Sequence, residues 1–345
     1  MQGYVTLRWR RPPMSVHVPR RTLAVVAGLA LVTAVAVLGA LATGSLTIPP
    51  ARVLQALAGG GMPQDVFVIQ TLRLPRVLAG MMVGAALALS GALLQALFRN
   101  PLAAPDLLGV TGGASAAAVA FLTYGQALSI RWLPPVAFTG AITVALLIHL
   151  LAWKGGVTSL RLILVGIGFK AATGALTTLF IVKSPIYLTS RAMLWLTGSV
   201  YGTTWADVGL IAPWLVVLGL LAWSQARHVD VLQLGDEVAG GLGAAPHRRR
   251  TVLLLLAAAL SGCAVAVGGT IGFVALLAPH IARWLVGPGF MGLVPAAALT
   301  GGLMVVVADT VGRTAFAPLD VPVGVLTSAV GAPFFLYLLY RQQRR

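Results

Sequence analysis

The stretch TVLLLLAAALSGCAVAVGGTIGFVALLAPHIA, residues 251–282, runs for 32 residues without an Asp, Glu, Lys or Arg. About 20 helical residues cross the hydrocarbon core of a bilayer, so this run is too long for one crossing. Gly268-Gly269-Thr270 supplies the break, because consecutive glycines punctuate a helix. The stretch therefore reads as two helices meeting at a turn. Runs of the same kind lie outward from it in both directions, at roughly 22–42, 77–98, 107–130, 132–153, 160–182, 207–226, 293–312 and 321–340. With 251–267 and 271–287 these make ten spans. Each must be helical, since a helix satisfies its own backbone in lipid. A further apolar piece, Met193 to Ala206, is short and Gly/Thr-rich and reads as an interfacial or re-entrant helix.

Composition agrees. Hydrophobic residues make up 58% of the 345 and charged residues only 9%, with a mean hydropathy of +0.93. Soluble domains carry about 25% charged residues, so a water-soluble globule is excluded. The 24 basic and 8 acidic residues give +16, a balance that in a soluble protein would suggest nucleic acid. Here the basic residues sit in short loops between apolar runs. Anionic lipid and membrane orientation account for them, and no nucleic-acid partner is expected. Cys263 is the single cysteine, so neither a disulfide framework nor a thiol metal cluster is available.

The first apolar run follows Arg8, Arg10, Arg11, Arg20 and Arg21, and at about 20 residues it exceeds a secretory signal core of about 7–15. It reads as a retained first helix behind a basic cytoplasmic tail, residues 1–21, with the ten-helix domain occupying 22–345. An even span count puts both termini on one face. With both in the cytoplasm, sixteen basic residues fall inside and seven outside, which fits the positive-inside rule. Small residues recur at close spacing, as in Gly80-xxx-Gly84, Gly109-xxx-Gly113 and Gly166-x-Gly168, and let helix backbones approach closely.

Catalysis has little support. There is no Gly-x-x-x-x-Gly-Lys-[Ser/Thr] phosphate loop and no His-Glu-x-x-His, and His17, His149, His228, His247 and His280 are scattered without metal-ligand spacing. Gly113-Ala114-Ser115 loosely resembles an intramembrane serine nucleophile, with His149 or His280 as conceivable bases, but helix packing explains the same tripeptide. No catalytic residue, metal ligand or cofactor is assigned to the chain. A secondary transporter would need intramembrane acids for ion coupling, and only Asp309 falls near a span interior. A channel would want a repeated polar filter, which is absent.

Several long blocks then carry a family resemblance. Arg73-Leu74-Pro75-Arg76 leads to GAALALSGALLQALFRNPLAAPDLLG (84–109). Leu234-Gly235-Asp236-Glu237, GGTIGFVALLAPHIAR (268–283), Ala308-Asp309 through Arg313 and LDVPVGVLTSAVGAPFFLYLL (319–339) follow in order. The chain resembles the FecCD-type membrane permeases of ABC importers for ferric siderophores, haem and vitamin B12. The resemblance implies the all-α type II importer fold, with ten helices and both termini cytoplasmic. It also implies a second permease copy or a paralogous permease, and a cytoplasmic ATPase dimer holding ATP and magnesium. A periplasmic or lipid-anchored binding protein would deliver the ligand. By the same resemblance, Arg73, Arg76 and Arg313 at the outer face are expected to meet acidic residues of the binding protein. Val231 to Gly243 reads as short helices broken at Gly235 and at Gly240-Gly241, with Asp236 and Glu237 early in the helix after Gly235. By the resemblance, Leu234, Gly235, Asp236, Glu237 and Gly243, in a cytoplasmic loop at about 227–250, are expected to couple to the ATPase. Asn100 and Leu102, with Thr158 and Ser159, are expected to form an inner constriction.

Lys170 stands apart. It lies about 15 Å or more from either end of its span at 1.5 Å per residue, beyond the reach of snorkelling. Water, an anionic ligand or a partner such as His149 or Asp309 must face it. Lining a pathway, it would favour an anionic cargo such as a ferric tris-catecholate. RLILVGIGFK (161–170) also resembles the catecholate-siderophore branch more than the B12 branch. Ferric-siderophore import, of the enterobactin-like catecholate type, is the expectation; haem or B12 import on the same fold and ion-coupled transport are the alternatives.

Overall fold

The computed structural model describes residues 4–9, 14–125, 127–153 and 159–343. Two strands, β1 (Tyr4–Trp9) and β2 (Met14–Pro19), pair antiparallel from Tyr4 opposite Pro19 to Trp9 opposite Met14. The expected basic tail is thus a hairpin. Its signal was present in the β-branched and aromatic residues either side of Pro12-Pro13.

The first helix, α1 (Arg20–Ala42), is followed on the outer side by the short α2 (Pro50–Leu57) and α3 (Pro63–Val66). A π-helical segment, Phe67–Arg73, runs directly into α4 (Leu74–Phe98). After the 3-10 turn Pro105–Leu108 come α5 (Val110–Tyr124), α6 (Leu133–Ala152) and α7 (Ser159–Lys183). The surface helix α8 (Ile186–Leu196) precedes α9 (Trp205–Ser224). Two cytoplasmic helices, α10 (Ala226–Gln233) and α11 (Asp236–Gly241), lead to α12 (Pro246–Gly268), α13 (Val274–Val286), α14 (Phe290–Thr314) and α15 (Val323–Gln343). Among the described residues, eight helices are long and apolar enough to span, and α5 and α13 are shorter apolar helices. All ten expected spans are therefore present as helices. The short interfacial helix lies earlier than expected, at Ile186–Leu196, and residues 197–204 after it are not helical.

Burial sorts the helices. The apolar stretch leading into and through α4 is 78% buried and that of α12 72%, against 11% in α1, 17% in α7 and 28% in α15. The core is thus α4, packed on α14, α12, α13 and α9, with α5 and α6 joined to it through α12. The poorly buried helices form the outer walls. The expected small-residue contacts decide where backbones touch. Gly84 packs on the backbone of Gly301, and Gly113 on that of Gly140, whereas Gly168 faces open space and packs nothing. A Cβ at Gly84 would overlap the Gly301 carbonyl. Gly84→Ala should destabilise the bundle by about 3 kcal/mol, and Gly168→Ala should be silent. Thermal denaturation in detergent separates the two, and equal melting of the variants would refute the α4–α14 contact as drawn.

The turn at 268–273 forms where expected. Gly269 has φ +64 and lies against the Trp195 carbonyl, a position without room for a side chain. The 196–199 segment, this turn and the start of α15 are laced together by Ser199 N–H to the Gly268 carbonyl (2.9 Å), Gly324 N–H to the Gly198 carbonyl (3.0 Å) and the Thr270 hydroxyl to the Leu196 carbonyl.

Candidate transport pathway and its outer and inner faces

The outer corner is built from basic side chains turned inward. Arg73 closes the π-helical segment and is 8% exposed. Its Nη1 donates to the Leu41 carbonyl at 2.6 Å and its Nη2 to the Leu46 carbonyl at 2.5 Å. Arg313, in the last turn of α14, donates to the Thr43 carbonyl at 2.6 Å and to the Ala40 carbonyl. Both cations thus sit on the carbonyl end of α1, where the last C=O groups lack helical partners and the dipole is negative. Arg76 grips Asp309 through Nε (3.0 Å) and Nη2 (2.8 Å) and Asp320 through Nη1 (2.7 Å), with the Tyr201 ring 5.2 Å from its guanidinium carbon. The side chains of Arg76 and Arg313 are only 13% and 10% exposed. The three arginines expected to meet a binding protein lie together at this corner, and all are engaged within the chain. The exposed outer cations are instead Arg131, Lys183 and Arg191, while Arg52 is paired with Asp65 at 2.6 Å.

Asp309, the acid noted near a span interior, is held by Arg76 and lies 3.5 Å from Arg313. It is a structural counter-ion rather than the partner of Lys170. The Ser115 hydroxyl donates to the Thr111 carbonyl (3.0 Å), and Gly113 is packing against α6, so the Gly-Ala-Ser tripeptide is accounted for by helix contacts.

The mid-membrane site is formed by a break in the helical wall. α4 ends at Phe98; Arg99 adopts φ +50, and the Asn100 Oδ1 accepts from the Leu102 N–H at 2.9 Å. Asn100 therefore shapes the turn out of α4. Leu102 packs against the buried cluster of Ala104, Leu276 and Leu277, as do Phe334 and Phe335 of α15. The loop reaches α7 through Leu108 against Gly166, and through Gly109, at φ +73, against the backbone of Phe169 and Lys170. Lys170 is eleven residues into α7, about 16 Å along it, so residues 99–109 climb from the inner face to mid-depth. Non-helical backbone at that depth is tolerated only where protein covers it or water lines it. Asp106 rides on this loop. It accepts a hydrogen bond from Thr111 and lies within Coulombic reach of Lys170, while Lys170 itself is exposed on the open face of α7. Asp309 is committed to Arg76 and Arg313, which leaves Asp106 as the acid within Coulombic reach of Lys170 among the described residues. Its signal was Pro105-Asp106 followed by Gly109, which marks a turn inside what reads as the start of a span. Thr158 lies outside the described residues, and Ser159 begins α7.

On the inner face, Gly235 at φ +114 separates α10 from α11, with Asp236 and Glu237 in the first turn of α11 as expected. The second break falls at Gly243 (φ +78), because Gly240 and Gly241 remain helical. Asp236 bridges Arg99 (2.5 Å) and Arg250 (2.8 Å), and Arg99 also donates to the Leu232 carbonyl at 3.1 Å. Asp230 accepts from the Phe290 N–H at 2.9 Å, and burial raises its carboxyl above the usual range. This cytoplasmic segment is therefore tied to α4, α12 and α14 together. Leu234, Val238 and Leu242, four residues apart, are each at least half exposed. They form an apolar ridge on the cytoplasmic side of the kind that marks an interaction surface.

A ten-helix body with a broken, charged segment at mid-depth and an apolar inner ridge defines a multi-pass membrane permease. The chain belongs to the FecCD transport family, whose model matches residues 30–341. It is 46% identical to a probable siderophore transport system permease of Bacillus subtilis, over 91% of this chain and 93% of that one. It is also 46% identical to the achromobactin transport system permease of Dickeya dadantii, over 98% and 97%. Its fold matches a solved structure described as an inward-facing metal-chelate type ABC transporter, with a TM-score of 0.84, 30% identity and coverage of 92% and 99%. This protein is a permease subunit of the cytoplasmic membrane, a transport component of the ABC importers for iron chelates, haem or B12 rather than an enzyme.

Proposed function

We propose that this permease passes a ferric siderophore inward, with an anionic catecholate chelate as the narrower assignment. The observation that carries it is Lys170, a cation exposed at mid-depth beside a non-helical loop. A lysine at a helix centre costs about 2.5–3.5 kcal/mol, a cost that a water-lined path for an anion makes useful. The description of the Bacillus subtilis relative as a probable siderophore permease supports a siderophore cargo. Asp106 tempers the site by offsetting part of the positive charge, so a bound anion is attracted without being trapped.

A cytoplasmic ATPase dimer, which holds the ATP and magnesium, seats on the ridge of Leu234, Val238 and Leu242. Asp236, Gly235 and Gly243 shape that element, and the Asp236–Arg99 bridge carries its movement to the loop bearing Asp106. Asn100 and Leu102 contribute to the inner constriction. A periplasmic or lipid-anchored binding protein docks on the outer face. The exposed Lys183 and Arg191 meet its acids, while Arg73, Arg76 and Arg313 keep the corner in shape. The exposed walls α7 and α15 support pairing with a second permease copy or a paralogue.

The test is ATP-driven uptake into vesicles containing the permease, its ATPase and its binding protein. Lys170→Met should lower ferric-catecholate uptake about tenfold, the equivalent of about 1.4 kcal/mol, with assembly intact. Asp106→Asn should leave uptake intact or raise it. Full catecholate uptake by the Lys170→Met protein, or cobalamin or haem uptake outpacing the siderophore, removes the siderophore assignment.

A further inference from the structure

A basic cavity lies on the inner face. It holds about 400 Å³ between the start of α10 and the first turn of α12, and Arg227, His228, Arg248 and Arg249 line it together with Val231 and Leu242. Its volume is within the range of small-molecule sites. Four basic side chains and no carboxylate face it among the described residues. Arg249 is held in place by its Nη1 hydrogen bond to the Gln225 Oε1 at 3.2 Å. The His228 Nδ1 is buried and has no hydrogen-bond partner among the described residues. Burial, and then the Arg249 charge, hold the His228 imidazole below the usual range, so the cavity's own field opposes further positive charge. The amino end of the 23-residue α12 opens beside it, with Ala245 as its cap residue in the cavity wall, and adds the positive end of a helix dipole.

We propose that this cavity binds a phosphate group, and that its donor is an acidic phospholipid of the inner leaflet. The cavity sits where α12 enters the bilayer: Arg248 and Arg249 precede the apolar run from Thr251 by less than a turn. Basic pockets at this level between membrane helices suit acidic headgroups. Acyl-chain space is also near in the chain. Trp223, four residues before Arg227, lines an apolar crevice of about 510 Å³ between α1, α9 and α14. Positive-inside topology accounts for the presence of these arginines, but not for their convergence on one cavity. The site is independent of which cargo the permease carries.

Native mass spectrometry of the purified full-length chain tests the site, with dioleoylphosphatidylglycerol, dioleoylphosphatidylcholine and inorganic phosphate as probes. Phosphatidylglycerol should be retained at least tenfold better than phosphatidylcholine. Retention should fall at least fivefold in Arg248→Gln/Arg249→Gln and stay unchanged in Arg131→Gln on the outer face. Phosphatidylglycerol retention that resists millimolar inorganic phosphate identifies the lipid as donor. Displacement by phosphate, with a matching rise in melting temperature of the lipid-depleted protein, identifies the free ion at the same site. Should the double variant not be recovered folded, Arg248→Gln alone, at an exposed position, must still weaken retention at least twofold. Equal retention of both lipids without any response to phosphate, or equal retention by variant and parent, overturns the proposal.

Discussion

Arg313→Glu is expected to leave little folded permease in the membrane. The native guanidinium donates to the carbonyls of Thr43 and Ala40 and neutralises Asp309 from 3.5 Å. A carboxylate in its place would face those carbonyls and Asp309 with like polarity, and would leave the end of α1 without donors. Removing one member of a buried charged pair costs about 3–5 kcal/mol, and reversal adds repulsion. That is a large share of the roughly 5–15 kcal/mol by which proteins are stable. Arg73→Glu should behave alike, since Arg73 holds the same helix end through the Leu41 and Leu46 carbonyls. Size-exclusion chromatography in detergent reads the result directly. A monodisperse Arg313→Glu protein that fails only in binding-protein docking would show that this arginine serves the partner and not the corner.

The second large effect is expected at the cytoplasmic ridge. Changing Leu234, Val238 and Leu242 together to Asp should abolish ATP-driven uptake, by a hundredfold or more, while the permease assembles normally. These side chains are exposed, so the isolated chain loses no packing, but the ATPase would have to bury three new charges. Burying an unpaired charge costs several kcal/mol each. Asp236→Lys should also fail, for a different reason: it breaks the bridges to Arg99 and Arg250 that tie α11 to α4 and α12. Co-purification of the ATPase separates the two. The triple variant should lose the ATPase, whereas Asp236→Lys should retain it and hydrolyse ATP without uptake. Normal ATPase capture by the triple variant would remove the ridge from the interface.

What the sequence determined by itself was everything that depends on the solvent. Long uncharged runs must be helices in lipid, so the ten spans, their order and the turn at Gly268–Thr270 could be read directly. The break before Asp236 was equally legible, because a glycine followed by two acids is a local signal for a helix start. The partners of the charges were not legible. The Arg76–Asp309 bridge joins residues 233 positions apart, and nothing near either residue distinguishes a docking cation from a structural one. The same holds for Lys170. Its depth followed from counting residues, but Asp106 came within Coulombic reach of it because Gly109 lets the loop after α4 lie against the backbone of α7. Local periodicity and hydropathy act within one helix, while the pairing of charges across a bundle is set by which helix ends meet. That was decided by the tertiary structure alone, where removing a charge from water forces each one to find its partner.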